Sequence, residues 1–145
     1  MIIALGADHG GFELKEIIKK HLLENNYEIK DYGTDSAQSV DYPVYGFYVG
    51  EAIIKQEADL GIVVCGTGLG ISIAANKVRG IRAAVCTNGY MARMAREHNN
   101  ANILALGARV VGEGLALEIV DAFLQASFGG ERHARRINLI SEYEK

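Results

Sequence analysis

The chain has 145 residues, of which 49% are hydrophobic and 23% are charged, and its formal net charge is −3. This is the length of one domain, 1–145, with one core, and the composition excludes a disordered chain. The small negative charge does not favour nucleic acid or an anionic membrane as a partner, and no apolar run has membrane-spanning length. The start, Met1–Gly6, lacks a basic segment and predicts a strand, not a signal peptide. Two cysteines without metal-binding or redox spacing fit a reducing cytoplasm.

Strands and helices alternate along the whole chain. Apolar runs predict five strands, and the segments between them carry apolar residues at helical spacing. The predicted strands are Met1–Gly6, Tyr27–Tyr32, the run that begins at Leu60, Ile81–Cys86 and Ile103–Leu106. The predicted helices are Phe12–Asn25, Pro43 to about Gln56, Ile71–Val78, Asn88–Glu97 and Glu113–Phe128, and a basic segment follows Gly129 and Gly130. This order predicts an α/β fold, a three-layer Rossmann-like sandwich around a five-stranded parallel sheet.

A glycine-rich loop follows the third strand. Gly66, Gly68 and Gly70 alternate with other residues directly after Cys65. Glycines leave backbone N–H groups unobstructed at the start of the next helix, which suits an anion, and such donors also favour the thiolate of a neighbouring cysteine. No carboxylate lies in the loop, so Cys65 is its best candidate for a base. The alternative is a tight turn that needs glycine only for packing.

The same loop does not fit a nucleotide-binding motif. A dinucleotide fingerprint would need glycine at position 71, which is Ile71, and no acidic residue follows about twenty residues later to hold a ribose. A P-loop is excluded because no Gly-Lys-Ser/Thr is present. Cys86 also ends a predicted strand, but no glycine loop follows it, so we interpret it as a core residue.

Asp8 and His9 stand in the first strand-to-helix loop. Ligands of parallel α/β sheets bind outside the carboxyl ends of the strands, where this loop and the Cys65 loop both lie. We therefore interpret Asp8 and His9 as ligand contacts, with a turn or helix N-cap as the alternative for Asp8. For His98, which ends a predicted helix, the alternative is a helix C-cap.

Two arginines near the end of the chain, Arg132 and Arg136, fall four apart and therefore share a helix face. Paired guanidinium groups suit a phosphate, which they can grip with forked hydrogen bonds. The alternative is an ordinary exposed basic face. The four histidines are scattered and form no cluster with cysteine, which does not favour a metal site.

Six segments together resemble the type B ribose-5-phosphate isomerases, and they span nearly the whole chain. They are Gly6–Phe12, Asp41–Pro43, Cys65–Lys77, Gly80–Ala83, Glu97–Asn99 and Arg132–Arg136. The resemblance implies interconversion of ribose 5-phosphate and ribulose 5-phosphate through an enediolate, without a metal or cofactor. Allose-6-phosphate and galactose-6-phosphate isomerases belong to the same superfamily, so the resemblance defines the reaction more narrowly than the sugar.

The resemblance also implies a role for each candidate residue. Cys65 would move the proton between C2 and C1, and His98 would open the furanose ring. Asp8 and Thr67 would contact sugar hydroxyls or assist ring opening. The developing oxyanion would be held by the loop amides with Asn99, the loop residues being Gly66, Thr67, Gly68, Leu69 and Gly70. The phosphate would be held by His9, Arg109, Arg132 and Arg136; for Arg109 and Asn99 the role rests on resemblance alone.

Topology adds an expectation about subunits. Asp8 and Cys65 follow strands, whereas His98 and Asn99 lie between a helix and the next strand and therefore at the opposite sheet edge, about 17–20 Å away. One chain should not bring His98 to Cys65, although the resemblance places both at one substrate. We therefore expect a homodimer, or a tetramer, in which His98 and Asn99 of one subunit complete the site around Cys65 of the other.

Two other functions stay open at this stage. A hexose 6-phosphate isomerase would share every motif, because the depth of the pocket, and not a motif, decides whether a sugar with one more carbon fits. A non-catalytic flavodoxin-like module would hold a nucleotide or flavin on the same loop, although the fingerprint and its acidic residue are missing.

Overall fold

The computed structural model describes residues 1–144 and shows one five-stranded sheet with helices on both faces. The strands are β1 (Ile2–Ala7), β2 (Glu28–Asp31), β3 (Leu60–Cys65), β4 (Ala83–Val85) and β5 (Ile103–Gly107). The helices are α1 (Phe12–Glu24), α2 (Tyr42–Ile54), α3 (Leu69–Ala75), α4 (Gly89–Glu97), α5 (Glu113–Gln125) and α6 (Arg132–Tyr143). All strand pairs are parallel, in the order β2-β1-β3-β5-β4. The predicted α/β fold is confirmed.

Strand β3 lies at the centre of the sheet and is buried along its whole length. Its side chains alternate between two cores. Ile62 and Val64 pack into the core under α1, α4 and α5, whereas Val63 and Cys65 pack into the core under α2 and α3. An uninterrupted apolar run is what a strand covered on both faces requires. The three-layer arrangement follows from this double burial.

Helix α3 differs from its predicted extent. It begins at Leu69, two residues earlier than predicted, and ends at Ala75 instead of Val78. The early start is possible because Gly68 has a φ of +79°, a left-handed conformation that turns the chain directly into the helix. The helix stops at Asn76 because that side chain bonds the backbone of Ala83.

Three further elements are shorter than predicted: β2, which lacks Tyr27 and Tyr32, β4 and α5. Strand β4 covers only Ala83–Val85, because the backbone of Arg82 is bonded to Asn102: its N–H donates to Asn102 Oδ1 at 2.8 Å, and its carbonyl accepts from Asn102 N at 3.0 Å. Helix α5 ends at Gln125, because the chain becomes extended at Ala126.

The basic terminal segment forms the predicted helical face as α6, which carries both Arg132 and Arg136. Its start is attached to the end of α4, where Gly129 N donates to Glu97 O at 2.9 Å. Among residues 1–144, none of the helices is both long and apolar enough to cross a membrane.

Candidate active site

Three loops meet at the carboxyl edge of the sheet because β1, β3 and β5 are adjacent parallel strands. Asp8 follows β1, Cys65 ends β3, and Arg109 follows β5. Backbone bonds join these loops: Asp8 N donates to Val64 O at 3.3 Å, and Arg109 N donates to Gly66 O at 3.0 Å. We name this group the thiol half-site; it consists of Asp8, His9, Cys65, Gly66, Thr67, Gly68, Leu69, Gly70 and Arg109.

The Cys65 thiol is buried and held by its own loop. Its Sγ accepts a hydrogen bond from Gly68 N at 3.1 Å, and only 5% of the residue is exposed. This bond fixes the position of the sulfur within the loop. The next amide, Leu69 N, donates to Thr67 Oγ1 at 3.2 Å. Two amides of the loop therefore donate to side chains of the loop itself, the thiol and the threonine hydroxyl.

The glycines of this loop allow close packing against the end of β5. A Cβ at Gly68 would lie 2.9 Å from the Leu106 carbonyl carbon, and one at Gly107 would lie 2.6 Å from the Thr67 backbone. Such distances leave no room for a side chain. Gly70 serves differently, because the Tyr42 ring covers it, with Cε1 2.6 Å from an added Cβ. No role was predicted for Tyr42, although it precedes Pro43 in a segment that carries the resemblance.

Arg109 lies in the thiol half-site and not with the other two arginines. Its Nη1 is 2.9 Å from where a Cβ on Gly66 would stand, and its Nη2 is 3.7 Å from the same position on Gly10. A cavity of about 450 Å³ opens here, lined by His9 and Arg109 together with Glu13 and Glu113. Arg109 was assigned by resemblance alone, because no local pattern around it indicates a site.

The orientation of His9 is set from a distant part of the chain. Its Nδ1 accepts a hydrogen bond from Val40 N at 3.1 Å. A backbone N–H can only donate, so in the neutral ring Nδ1 is the acceptor and Nε2 carries the proton. His9 therefore offers one N–H donor, and the loop before α2 determines its tautomer.

Asp8 has the turn role that its sequence position left open. It is 7% exposed, and its Oδ1 accepts from Gly11 N at 3.1 Å at the start of α1. The turn role is thus observed. Asp8 Oδ1 and Gly66 N each lie 3.4 Å from the position of a Cβ on Gly10, so both border the backbone of Gly10.

A second group lies at the other edge of the sheet. The His98 and His133 rings stack with centroids 4.2 Å apart and an angle of 13° between their planes. His98 is also the C-cap of α4, as its alternative interpretation proposed, with its N–H donating to Met94 O at 2.8 Å. We name this group the histidine half-site; it consists of His98, Asn99, Arg132, His133 and Arg136. A cavity of about 330 Å³ lies beside His98, Arg132 and His133.

The charges of the histidine half-site act on His133. Desolvation, with repulsion from His98, Arg132 and Arg136, lowers the pKa of His133 below its ordinary value. Two arginines and two imidazoles on one surface suit an anionic group. His133 lies within the Arg132–Arg136 segment that carries the resemblance, but no role was predicted for it.

The register of the sheet separates the two half-sites. Ile103, at the start of β5, pairs with Gly61, whereas Gly107, at its end, pairs with Cys65. Four strand residues at about 3.3 Å each place these edges about 13 Å apart, and His98 lies still further back in the chain. Within one chain the structure therefore brings Cys65 together with Asp8, His9 and Arg109, and it does not bring His98 or Arg132 to them. Across residues 1–144, the structure shows no group of three His, Cys, Asp or Glu side chains that could hold a metal ion.

The fold and this edge define an α/β protein of the class that binds small ligands at the carboxyl ends of parallel strands. Residues 3–140 match the model of the family described as Ribose/Galactose Isomerase. Ribose-5-phosphate isomerase B of Escherichia coli is 51% identical over 143 residues, which are 99% of this chain and 96% of that protein. The chain belongs to the ribose/galactose isomerase family, and the resemblance is confirmed.

Solved structures similar to this chain also belong to ribose-5-phosphate isomerases of type B. Ribose-5-phosphate isomerase B of Clostridium thermocellum has a TM-score of 0.99 at 62% identity, covering 99% of this chain and 97% of that one. The enzyme of Mycoplasma genitalium with bound ribulose 5-phosphate has a TM-score of 0.95 at 43% identity, covering 99% and 95%.

Proposed function

We propose that this chain is an aldose–ketose isomerase that interconverts D-ribose 5-phosphate and D-ribulose 5-phosphate, acting as a single domain in the cytoplasm. The observation that carries the proposal is the Cys65 thiol, held by Gly68 N at 3.1 Å in the thiol half-site of a chain from this family. The relatives named above, one of them with ribulose 5-phosphate bound, support the choice of sugar. A reducing compartment keeps both free cysteines as thiols.

The chemistry assigned to Cys65 is proton transfer between neighbouring carbons. The thiolate takes the proton from C2 of the open-chain aldose, which gives an enediolate, and returns it to C1, while the O2 proton passes to O1. Those amides of the Gly66–Gly70 loop that are not bonded to Cys65 or Thr67, together with Asn99, stabilise the charge that develops on oxygen. A positioned base contributes about 10² to 10⁴ in rate and an oxyanion site a similar factor, so both are needed to remove a proton from carbon.

Ring opening and phosphate binding use the remaining residues. His98 donates a proton to the ring oxygen, with Asp8 and Thr67 on the sugar hydroxyls. His9 and Arg109 approach the phosphate from the thiol half-site, and Arg132 and Arg136 approach it from the histidine half-site. The single Nε2–H donor of His9 and the forked guanidinium donors match the phosphate oxygens.

The assembly that joins these groups is a homodimer with two shared sites. Each chain carries one thiol half-site and one histidine half-site at opposite sheet edges, so a two-fold axis can pair each with its complement in the partner. The exposure of His98, Asn99 and Arg132 in a single chain supports this arrangement.

The first experiment measures ribose 5-phosphate isomerisation by the Cys65→Ala protein. We expect kcat to fall by about 10² to 10⁴, because the base is lost. The matched control is Cys86→Ala: Cys86 is also buried, and burial raises the pKa of its thiol to about 11, so it stays protonated and its removal should leave kcat near the wild-type value. Near-normal turnover by Cys65→Ala would refute the base assignment.

A mixing experiment tests the shared site. Cys65→Ala and His98→Ala proteins, each nearly inactive, are denatured together and refolded, so that heterodimers form. Shared sites predict recovery, because each heterodimer contains one site with both residues intact. The refolded single variants are the controls. No recovery in verified heterodimers, or full activity in a demonstrated monomer, would exclude sharing.

The preferred sugar is tested by kcat/KM for ribose 5-phosphate and allose 6-phosphate. The proposal predicts a higher value for the pentose. One extra carbon changes discrimination by about 10- to 200-fold when it must fit a closed pocket. A higher value for the hexose would assign the chain to hexose 6-phosphate isomerisation.

A further inference from the structure

The turn at residues 98–102, which carries His98 and Asn99 of the histidine half-site, is fixed by a side chain from another element. Arg82 precedes β4, and its Nε lies 3.0 Å from the carbonyl oxygen of Asn99 and 3.1 Å from that of Asn100. Its Nη2 donates to the Asn100 carbonyl as well, at 2.9 Å. One guanidinium thus holds the two carbonyls that directly follow His98.

The backbone of Arg82 strengthens the same connection. Its N–H donates to Asn102 Oδ1 at 2.8 Å, and its carbonyl accepts from Asn102 N at 3.0 Å. The turn is therefore bonded to Arg82 at positions 99, 100 and 102. Asn100 in this turn has a φ of +44°, a conformation that non-glycine residues adopt rarely and keep only when the surroundings hold them.

The guanidinium has given up much of its contact with water. Arg82 is half-buried, and desolvation lowers the pKa of this side chain below its ordinary value, with Glu144 acting in the opposite direction. A second arginine, Arg96, donates to Asn100 Oδ1 at 3.2 Å and to Ala101 O at 2.6 Å, and the two positive charges repel. Two cations are therefore partly desolvated at one five-residue turn, which costs solvation free energy.

This turn carries two residues of the proposed active site. His98 and Asn99 are exposed in the single chain, where the His98 ring stacks on His133, so burial does not fix these two residues and the backbone of the turn decides where they lie. We propose that Arg82 is a positioning residue that fixes the backbone of Asn99 and Asn100 and thereby aims His98 and Asn99 at the substrate. This rests on the proposed isomerase function. A displacement of about 1 Å at reacting groups can cost about 10² in rate, so such support is needed.

The test is a set of double-mutant cycles on kcat and KM for ribose 5-phosphate. Arg82→Gln should lower kcat about 10- to 100-fold, while KM changes less than about threefold because the phosphate ligands are elsewhere. Arg82→Lys should recover part of kcat, because an ammonium group can reach one carbonyl but cannot form the fork. The control is Arg79→Gln, an exposed arginine three positions earlier, which should leave kcat unchanged.

Non-additivity distinguishes positioning from general structural damage. In a His98→Asn background, assayed at raised enzyme concentration, Arg82→Gln should lower kcat by a factor at least about threefold smaller than in the wild type, since one of the two groups that it positions is absent. In an Arg132→Ala background its full effect should remain. Equal losses in all backgrounds, or an unchanged kcat, would overturn the proposal. If Arg82→Gln does not fold, the cycles use Arg82→Lys, for which an unchanged kcat is equally decisive. Wild-type protein without isomerase activity would instead contradict the proposed function.

Discussion

The rings of His98 and His133 stack at a centroid distance of 4.2 Å and only 13° from parallel. This contact places the first turn of α6, which carries Arg132, against the end of α4. Both imidazoles and both arginines of the histidine half-site therefore form one surface. The positive charges of this surface repel one another, so removing one of them should change the pKa of His133.

The first prediction concerns the titration of His133. Desolvation and the charges of His98, Arg132 and Arg136 lower the pKa of His133, so Arg136→Gln should raise it by removing one repulsive charge. Arg135→Gln is the matched control, because Arg135 lies on the same exposed helix but does not affect His133. NMR titration of the imidazole C–H signals measures both. An equal shift in the two variants would show a general charge effect and not the contacts of this half-site.

The second prediction separates phosphate binding from structure. Arg132→Ala or Arg136→Ala should raise KM for ribose 5-phosphate strongly and barely affect the weak turnover of unphosphorylated ribose, because the lost interactions belong to the phosphate. Losing one charge-assisted contact of about 1.5–3 kcal/mol corresponds to about 10- to 100-fold in kcat/KM. Lysine should substitute poorly. Steady-state kinetics on both sugars test this prediction. Equal losses of kcat/KM on the two sugars would mean that the arginines are structural.

The third prediction concerns Gly68. Gly68→Ala should destabilise the protein and disrupt the thiol half-site, because φ is +79° and the new Cβ would lie 2.9 Å from the Leu106 backbone. We expect a loss of about 2 kcal/mol or more in the free energy of unfolding. In Gly114→Ala a Cβ would meet nothing within 4 Å, and this helical substitution should be neutral or stabilising by about 0.5 kcal/mol. Chemical denaturation of both variants tests this, and similar stabilities would contradict it.

The fourth prediction concerns stability against pH. The Asp31 carboxylate accepts from Lys15 at 2.7 Å and Lys19 at 3.0 Å, and Lys15 is only 1% exposed. Burial opposes ionisation, but these bonds, with that from Gly33 N, outweigh it and lower the pKa of Asp31 below its ordinary value. Asp31→Asn leaves the Lys15 charge buried with weaker compensation and should cost about 3 kcal/mol at pH 7.

The sign of the pH effect follows from the lowered pKa. The contribution of Asp31 to stability is fully present above about pH 4, the ordinary value for an aspartate, and is lost as the pH falls through the lower folded-state pKa. The difference in unfolding free energy between wild type and Asp31→Asn should therefore narrow below about pH 4. Glu16→Gln is the control, because Glu16 also contacts Lys15, at 3.2 Å, but its side chain is 42% exposed. A difference that stays constant with pH would refute this account.

Much of the fold was predictable because its signals are local. The five apolar runs and the helical spacing between them follow from which faces each element must bury. The Cys65 loop was predictable for the same reason, since a strand, three alternating glycines and a helix stand next to one another in the sequence. Boundaries were less accurate where a distant partner ended an element: Asn76 ends α3 by bonding Ala83 with Oδ1 at 2.7 Å and Nδ2 at 3.0 Å.

The order of the reactive residues along the chain could be read from the sequence alone. An acid and a histidine follow the first strand, a thiol in a glycine loop follows the third, and an arginine pair lies on a late helix. The sequence also indicated that Asp8 and Cys65 share one sheet edge and that His98 lies at the other, because loops after strands and loops after helices lie at opposite edges. The individual side-chain contacts could be known from the tertiary structure alone. It placed Arg109 beside Gly66, let Val40 set the tautomer of His9 across 31 positions, and left His98 with His133 at the far sheet edge. Hydrophobic periodicity is a pattern among near neighbours in the sequence. Contacts between side chains of different loops depend on the order and register of the strands, which no local pattern encodes.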